Sequence, residues 1–229
     1  MISVIIPTLN AEHRLAASMA ALVPATITGL VRQVVITDGG SRDRTLAIAD
    51  QAGAEVVRGP PGRGAQLAAG ARTARFPWLL FLHADTELSP GWERDADTFI
   101  ARVDEGHRPA AAAAFRFRLD DTGARPRILE ALVALRCHAL KLPYGDQGLL
   151  MPRSLYDAVG GFGPMPLMED VDIVRRLGRG RVTMLRSGAI TSAERYRRDG
   201  YARRSLRNGL CLGLHFLRAP PGVIQRIYG

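Results

Sequence analysis

The segment VRQVVITDGGSRD (residues 31–43) contains an apolar run, a glycine turn and a helix start in direct succession. A mainly apolar run such as Val31–Thr37 is typical of a strand buried on both faces of a parallel sheet. Asp38 and the glycines after it favour a turn, and Ser41 can cap a helix over about 42–52. The segment therefore predicts one strand–loop–helix unit.

The same unit recurs on both sides of this segment. Before it, Ile2–Pro7 is a β-branched run that leads into a helical pattern over Glu12–Leu22. After it come a strand at 54–58, a Gly/Pro loop with an Ala-rich helix ending near Ala74, and a fourth strand at Trp78–Leu82. This repetition predicts an α/β fold in which helices flank a doubly wound, mostly parallel central sheet, with function at the carboxyl ends of the strands.

The second half of the chain is less regular. It predicts a strand over 110–119 and helices near 90–103, 127–141, 154–159, 168–178 and 200–217. No internal repeat and no linker-like composition divides the chain, so we expect one domain over residues 1–229.

Composition excludes several protein classes. With 47% hydrophobic and 23% charged residues, the chain is neither disordered nor a disulfide-rich miniprotein. Its two cysteines, Cys137 and Cys211, have no zinc-ligand spacing and indicate a reducing compartment. No basic leader precedes the first apolar run, and the late apolar stretch from Gly209 to Leu217 is far shorter than a bilayer requires. These features predict a cytoplasmic protein, soluble or peripheral at the inner face of the membrane.

The net charge of +9 is unevenly distributed. Residues 1–120 hold 13 basic and 13 acidic side chains, whereas residues 121–229 hold 18 and 9. A basic half suggests an anionic partner: a phosphorylated substrate, an acidic membrane or nucleic acid. Three interpretations stay open for the Arg-rich end, which holds Arg195, Arg197, Arg198, Arg203, Arg204 and Arg207. They are a solvated helix face, a clamp on a diphosphate or an anionic acceptor, and docking to an acidic membrane.

Candidate binding residues collect where the four predicted strands end. The chain carries PTLNAE at 7–12, DGGSRD at 38–43, GRGAQ at 62–66 and HADT at 83–86. Together such turns line one crevice, as a nucleotide site at a topological switch point does. The motifs of dinucleotide-binding proteins, P-loop ATPases, zinc proteases and α/β-hydrolases are missing from the sequence.

These motifs, continued by GDQGLLMPR (145–153) and MED (168–170), resemble family-2 glycosyltransferases of the GT-A fold in the same order along nearly the entire chain. The resemblance implies that a sugar moves from a nucleoside diphosphate donor to an acceptor with inversion. It also implies a GT-A, Rossmann-like domain with a nucleotide-binding half at 1–120 and an acceptor half at 121–229 that ends in Arg-rich helices.

The resemblance assigns the donor site to the strand ends. The nucleotide-sugar-binding residues are then Pro7, Thr8, Asn10, Glu12, Asp38, Gly39, Arg63, Gln66, His83, Ala84 and Asp85. The family's D-x-D motif binds Mg²⁺ or Mn²⁺; here His83 replaces its first aspartate, so Asp85 is the expected metal ligand. Gly39 stands where the family more often has a second aspartate, which leaves the donor base open.

The acceptor half supplies the remaining candidates. Asp146, Gln147 and Gly148 are expected to contact a sugar, and Arg195 and Arg198 an acceptor that could be phosphorylated or lipid-linked. The resemblance places the catalytic base in the pair Glu169 and Asp170. We prefer Asp170.

Two other functions are compatible with parts of the sequence. A sugar-phosphate nucleotidyltransferase would have a Gly-rich loop after the first strand, where this chain has Pro7-Thr8-Leu9-Asn10. A basic nucleic-acid-binding protein would explain the charge, but only 6% of residues are aromatic and the neutral half would have no purpose. We therefore expect no nucleic-acid partner.

Overall fold

The computed structural model, which describes residues 1–165, 167–217 and 219–228, contains one sheet of eight strands. The strands are β1 (Ile2–Thr8), β2 (Val31–Asp38), β3 (Glu55–Arg58), β4 (Trp78–Phe81), β5 (Thr86–Leu88), β6 (Ala112–Leu119), β7 (Leu149–Pro152) and β8 (Val182–Thr191). Their order across the sheet is β3-β2-β1-β4-β7-β6-β8-β5.

Helices cover the sheet and form the C-terminal end. They are α1 (Glu12–Ala20), α2 (Val23–Ile27), α3 (Thr45–Gln51), α4 (Arg63–Thr73), α5 (Trp92–Asp104), α6 (Ala124–Leu140), α7 (Arg153–Ala158), α8 (Glu169–Leu177), α9 (Glu194–Asp199), α10 (Tyr201–Phe216) and α11 (Pro221–Tyr228). None of these described helices is long and apolar enough to cross a bilayer.

The first four strands form the parallel sheet that the sequence predicts. β1 pairs in parallel with β2 and β4, and β2 pairs in parallel with β3. β1 is buried on both faces: Val4 and Ile6 pack into one hydrophobic cluster, and Ile5 into the other. Helix α4 packs directly on β1. Gly70 permits this close approach, since a Cβ at this position would collide with Ile5 Cγ2. The polar turns that follow these strands therefore share one edge of the sheet.

The second half extends the sheet in a way that the sequence only partly predicts. β7 runs antiparallel to β4 and β6, whereas β6 and β8 are parallel to each other, so six of the eight strands point in one direction. The ten-residue strand β8 is absent from the predicted elements because Arg186, Ser187 and Gly188 interrupt its apolar pattern. The register of β6 against β8 shifts at this interruption, between Ala114 and Arg116.

Candidate functional site

The turns after β1 and β2 are tied together by reciprocal hydrogen bonds. Asn10, which has a φ of 52°, accepts at Oδ1 from the Arg42 N–H at 2.9 Å and donates its own N–H to Ser41 Oγ at 2.9 Å. Glu12 Oε2 accepts from the Arg44 N–H at 2.9 Å. Asn tolerates a positive φ better than most residues, which suits it to this turn. In the free protein, the predicted binding residues Asn10 and Glu12 thus hold the two turns together.

Asp38 organises the turn after β2. Its buried carboxylate accepts hydrogen bonds from the Thr8 hydroxyl at 3.1 Å, from the N–H groups of Gly40 and Ser41 at 2.9 and 2.8 Å, and from the Ser41 hydroxyl. Burial favours the neutral acid, but these donors outweigh it and lower the pKa of Asp38 below its ordinary value. Asp38 is therefore a fixed anion inside the turn.

Gln66, on the first turn of α4, joins three of the strand ends. Its side-chain NH₂ donates to the carbonyl oxygens of Thr8 and Thr37 at 2.9 and 2.6 Å, and its Oε1 accepts from the Gly62 N–H at 3.2 Å. A Cβ at Gly39 would lie 3.2 Å from Gln66 Nε2, so this close approach favours glycine at position 39. The glycine that departs from the family pattern therefore has a packing reason.

The turn after β4 meets the second half of the chain at Gly145. The Gly145 N–H donates to Asp170 Oδ2 at 2.6 Å. A Cβ at position 145 would lie 2.6 Å from His83 Nε2 and 3.2 Å from Asp170 Oδ2, so the glycine lies directly against both side chains. Loss of contact with water, followed by the charges of Arg63 and Arg195, lowers the pKa of His83 well below its ordinary value, and its imidazole is neutral at pH 7.

Acidic side chains crowd the same cleft. Asp146 Oδ1 and Glu169 Oε2 are buried without a hydrogen-bond partner in the described parts of the chain. Burial, with the negative charges of Asp170 and Asp85, raises the pKa of Asp146 to about 7. Burial and the charge of Asp170 raise the pKa of Glu169 to about 7 as well. Buried polar atoms normally have partners, so these two are candidates for contact with a ligand.

Arginines face this acidic cluster. Arg63 Nη1 lies 3.4 Å from Glu169 Oε1, and its pKa is raised by the charges of Glu169 and Asp170 against the opposing effect of burial. Arg136 stacks on the Tyr144 ring, with 3.5 Å between its guanidinium carbon and the ring centroid. The cleft therefore offers cations for a phosphate group beside carboxylates for hydroxyl groups.

The two members of the predicted catalytic pair differ in access. Glu169 is 1% exposed, whereas Asp170 is partly open to the cleft. Met168, the residue before them, has a φ of 66°, which is unusual for a side chain of its size. Such strain is commonly found at functional sites, and here it sets the direction in which α8 begins.

Some predicted residues lie beside the cleft rather than in it. Gln147 is 1% exposed and points inward, where it donates to the Phe115 carbonyl oxygen at 2.9 Å and accepts from the Tyr144 N–H at 3.2 Å. Gln147 therefore holds its own turn in place, and its expected contact with a sugar stays a prediction. Arg198 is exposed and lies 2.9 Å from its neighbour Asp199.

Of the remaining predicted residues, Pro7 and Ala84 lie at strand ends, Gly148 directly precedes β7 and Arg195 lies on α9. Gly148 has a φ of 62°, and a Cβ there would lie 3.2 Å from the Phe115 ring. Pro7 stands next to Thr8, the last residue of β1, and the Ala84 carbonyl oxygen accepts from the Ser18 hydroxyl at 2.8 Å. Arg195 is exposed on α9, and its charge acts on His83.

Three side chains near the cleft were not predicted: Tyr196, Tyr228 and Arg136, which was described above. Tyr196 lies near Asp146, and Tyr228 lies near Arg63. Arg204, a member of the predicted Arg-rich end, stacks on Tyr228 at 4.7 Å from guanidinium carbon to ring centroid. All four side chains come from helices of the second half, and the excess of arginine in that half is the sequence signal that points toward them.

A metal bound in this cleft would need ligands from the substrate as well as from the protein. Among the residues described by the structure, no group of three or more His, Cys, Asp or Glu side chains is arranged to hold an ion. Asp85 and the neutral imidazole of His83 stand on one turn, so the chain itself offers a metal at most these two side chains there. Phosphate oxygens and water would have to supply the other ligands of a Mg²⁺ or Mn²⁺ ion.

Comparison with known proteins gives one family. The sequence profile described as Glycosyl transferase family 2 matches residues 3–165. An uncharacterised glycosyltransferase of Mycobacterium tuberculosis is 35% identical over 106 residues, which is 46% of this chain and 44% of the relative. A PGL/p-HBAD biosynthesis glycosyltransferase of the same species is 33% identical over 129 residues, covering 48% of this chain and 44% of the relative. The chain thus spans less than half the length of these relatives.

Solved structures of two proteins share this fold. Glucosyl-3-phosphoglycerate synthase from Mycobacterium tuberculosis, solved with Mn²⁺, uridine diphosphate and glucosyl-3-phosphoglycerate, aligns with a TM-score of 0.56 at 22% identity over 82% of this chain and 70% of the enzyme. Residues 1–349 of S. aureus TarS align with a TM-score of 0.63 at 18% identity over 99% of this chain and 69% of that one. The predicted GT-A α/β fold is confirmed, and the chain belongs to glycosyl transferase family 2.

Proposed function

We propose that this protein is a glycosyltransferase that moves a sugar from a nucleoside diphosphate sugar to an acceptor hydroxyl, with inversion and with a divalent metal. One observation carries the proposal: Asp170, fixed by the Gly145 N–H and partly open, shares a cleft at the carboxyl ends of the strands with Arg63. A base for an acceptor and a cation for a diphosphate are the two groups that such a transfer needs. Family membership supports the same activity.

The nucleoside half of the donor would bind between the turns after β1, β2 and β3. Thr8, Asn10, Glu12, Asp38 and Gln66 hold these turns in place, so the pocket exists before the donor arrives. Pro7 and Gly39 would shape its walls. Arg63, at the start of α4, would meet the diphosphate, because a guanidinium can bind phosphate oxygens in pairs.

The metal would be held by Asp85, with His83 as a second ligand beside Ala84. When bound, a divalent cation neutralises charge on the diphosphate, which makes that group a better leaving group. The neutral state of His83 fits this role, since only an imidazole without its second proton can ligate a metal. A uridine diphosphate complex with Mn²⁺ is known for the structurally similar synthase.

Asp170 would act as the general base. The acceptor hydroxyl loses its proton to the free lone pairs of the Asp170 carboxylate as its oxygen attacks the anomeric carbon, and the bond from that carbon to the diphosphate oxygen breaks on the opposite side. Glu169 is the weaker candidate because it is 1% exposed and paired with Arg63. Its charge instead helps to position Arg63.

The acceptor would bind on the side formed by residues 121–229. At neutral pH the raised pKa of Asp146 leaves it partly protonated, so it can both donate to and accept from sugar hydroxyls. Gly148 lets the chain turn closely beneath it, with Gln147 supporting that turn. Arg195 and, farther out, Arg198 favour an acceptor that carries phosphate, either free or attached to a lipid.

The proposal is tested by donor binding. In a thermal-shift panel of UDP, GDP, dTDP and their sugars with Mn²⁺, a donor at about 100 times its Kd should stabilise the wild-type protein by about 2.7 kcal/mol. Asp85→Ala should lose most of the Mn²⁺-dependent part. Asp97→Ala, which removes an exposed carboxylate from α5, is the matched control and should behave like wild type.

Two outcomes would contradict the proposal. Failure of every nucleotide to stabilise the wild-type protein would remove the donor site. Equal, metal-independent nucleotide binding by the wild-type protein and Asp85→Ala would remove Asp85 from the metal site while leaving the nucleotide pocket.

A further inference from the structure

Two helices of the second half expose apolar side chains that no described residue covers. On α6, Ile128, Leu132 and Leu135 are 61%, 58% and 63% exposed. They are spaced by four and three residues, so they form one row along the helix. The opposite side of α6 packs on the protein through Leu129 and Val133. The exposed row is therefore a second apolar face on a helix that already has one.

Helix α10 repeats this arrangement. Leu206 is 77% exposed and Leu210 is 52% exposed, whereas Arg204 and Cys211 on the inner side are buried. The two helices contact each other. Large apolar side chains exposed in such continuous rows mark an interaction site, while scattered single ones do not. We refer to Ile128, Leu132, Leu135, Leu206 and Leu210 as the apolar face.

Positive charge accompanies the apolar face. Arg203 stands one turn before Leu206, and Arg125 stands three residues before Ile128. Both arginines are exposed and form no ion pair with any described residue. Lys141, the only lysine of the chain, follows α6 directly. Apolar rows edged by cations are the pattern of helices that lie in the surface of a membrane, with arginine and lysine among the lipid headgroups.

From these observations we propose that the apolar face of α6 and α10 docks on an anionic lipid bilayer. A second copy of the chain fits less well, because a symmetric dimer through this face would bring the same arginines of both copies together. Acidic lipids neutralise these charges and so favour docking. On its inner side α10 reaches toward the cleft: Arg204 stacks on Tyr228, which lies near Arg63. Docking would therefore hold the cleft near the bilayer surface.

Vesicle sedimentation tests this proposal without any substrate. The full chain should bind vesicles of phosphatidylcholine with one quarter phosphatidylglycerol, bind pure phosphatidylcholine at least tenfold less, and lose affinity as salt rises. The variant Leu132→Gln/Leu206→Gln/Leu210→Gln should bind the anionic vesicles at least tenfold more weakly. The control Val23→Gln/Ile27→Gln changes exposed apolar residues of α2 and should bind like wild type.

Thermal unfolding and sedimentation velocity complete the test. Both variants should unfold within a few degrees of wild type, because all the replaced side chains are exposed. If the triple variant unfolds early, the single variant Leu206→Gln carries the test. The proposal is overturned if the wild-type protein does not bind anionic vesicles, or if the variants of the apolar face bind them as well as the wild type does. It is also overturned if the wild type binds no vesicles and forms a dimer that the triple substitution dissociates. None of these readouts depends on glycosyl transfer, so the proposed activity can stand or fall separately.

Discussion

Replacing Asp170 with asparagine separates catalysis from folding and donor binding. In the protein, Asp170 Oδ2 accepts from the Gly145 N–H at 2.6 Å and Oδ1 accepts from the Val171 N–H at 2.7 Å. The single carbonyl oxygen of asparagine can keep the bond to Gly145 and must give up the other. We therefore expect a stability loss of about 1 kcal/mol, the usual contribution of one hydrogen bond.

The effect on turnover should be much larger. A carboxylate that takes a proton in the transition state contributes about 10²–10⁴-fold, and an amide cannot take that proton. At about 1.36 kcal/mol for each factor of ten, Asp170→Asn should raise the barrier by about 2.7–5.4 kcal/mol. Donor affinity should stay within about threefold of wild type, because Arg63 and the turns after β1 and β2 are unchanged.

The assay measures release of the nucleoside diphosphate. Until an acceptor is known, the reaction followed is transfer of the donor sugar to water. The matched control is Asp172→Asn, two residues along α8, which loses an exposed ion pair with Arg176 that spans 2.6 Å. Such a pair contributes about 0–1 kcal/mol, so both variants lose similar stability and only Asp170→Asn should lose turnover. Turnover of Asp170→Asn within threefold of wild type would refute the assignment, and an inactive Glu169→Gln alongside it would move the role to Glu169.

Three further outcomes follow from the same contacts. Gly145→Ala should reduce turnover and lower stability by about 1–3 kcal/mol, because the new methyl group collides with the groups on either side of it; an unchanged melting temperature would contradict this packing. The pKa of Glu169 is raised from 4.5 to about 7, so the folded state retains a proton that the unfolded chain releases, and stability should fall as pH rises through this range. Glu169→Gln should shrink that fall in denaturant titrations; an equally steep fall would count against the shift. Gln66→Leu removes three buried hydrogen bonds, those to the Thr8 and Thr37 carbonyl oxygens and that from the Gly62 N–H, and should lose about 2–4 kcal/mol. Gln51→Leu on the exposed end of α3 is the control and should lose less than about 0.5 kcal/mol.

The sequence predicts the first half of this fold well because each strand there is a short apolar run that ends at glycine or a polar turn. Local pattern and tertiary structure agree at Ile2–Thr8, Val31–Asp38 and Trp78–Phe81. They disagree at Val182–Thr191, where Arg186 and Gly188 hide a strand whose stability comes from its neighbours β6 and β5. Strands of this kind depend on pairing partners that lie far away in the sequence.

Prediction of the candidate site is limited in the same way. The strand-end motifs identify which turns line the cleft, since the order of the elements already brings those turns to one edge. Residue types do not say whether a side chain faces a ligand or its own protein. Asn10 and Glu12 bind the neighbouring turn, and Gln147 points inward. Tyr196 of α9 and Tyr228 of α11 lie near Asp146 and Arg63 of the cleft, and no local sequence pattern indicates this nearness.

The hydrogen bonds between the turns after β1 and β2 also have a thermodynamic consequence. The Arg42 and Arg44 N–H groups are bound by Asn10 and Glu12 in the free protein, so the conformational entropy of these loops is lost during folding. A nucleotide then binds a surface that is already ordered, and more of its contact energy appears as affinity. Amide hydrogen exchange at residues 42 and 44 should accordingly be slow before any ligand is added.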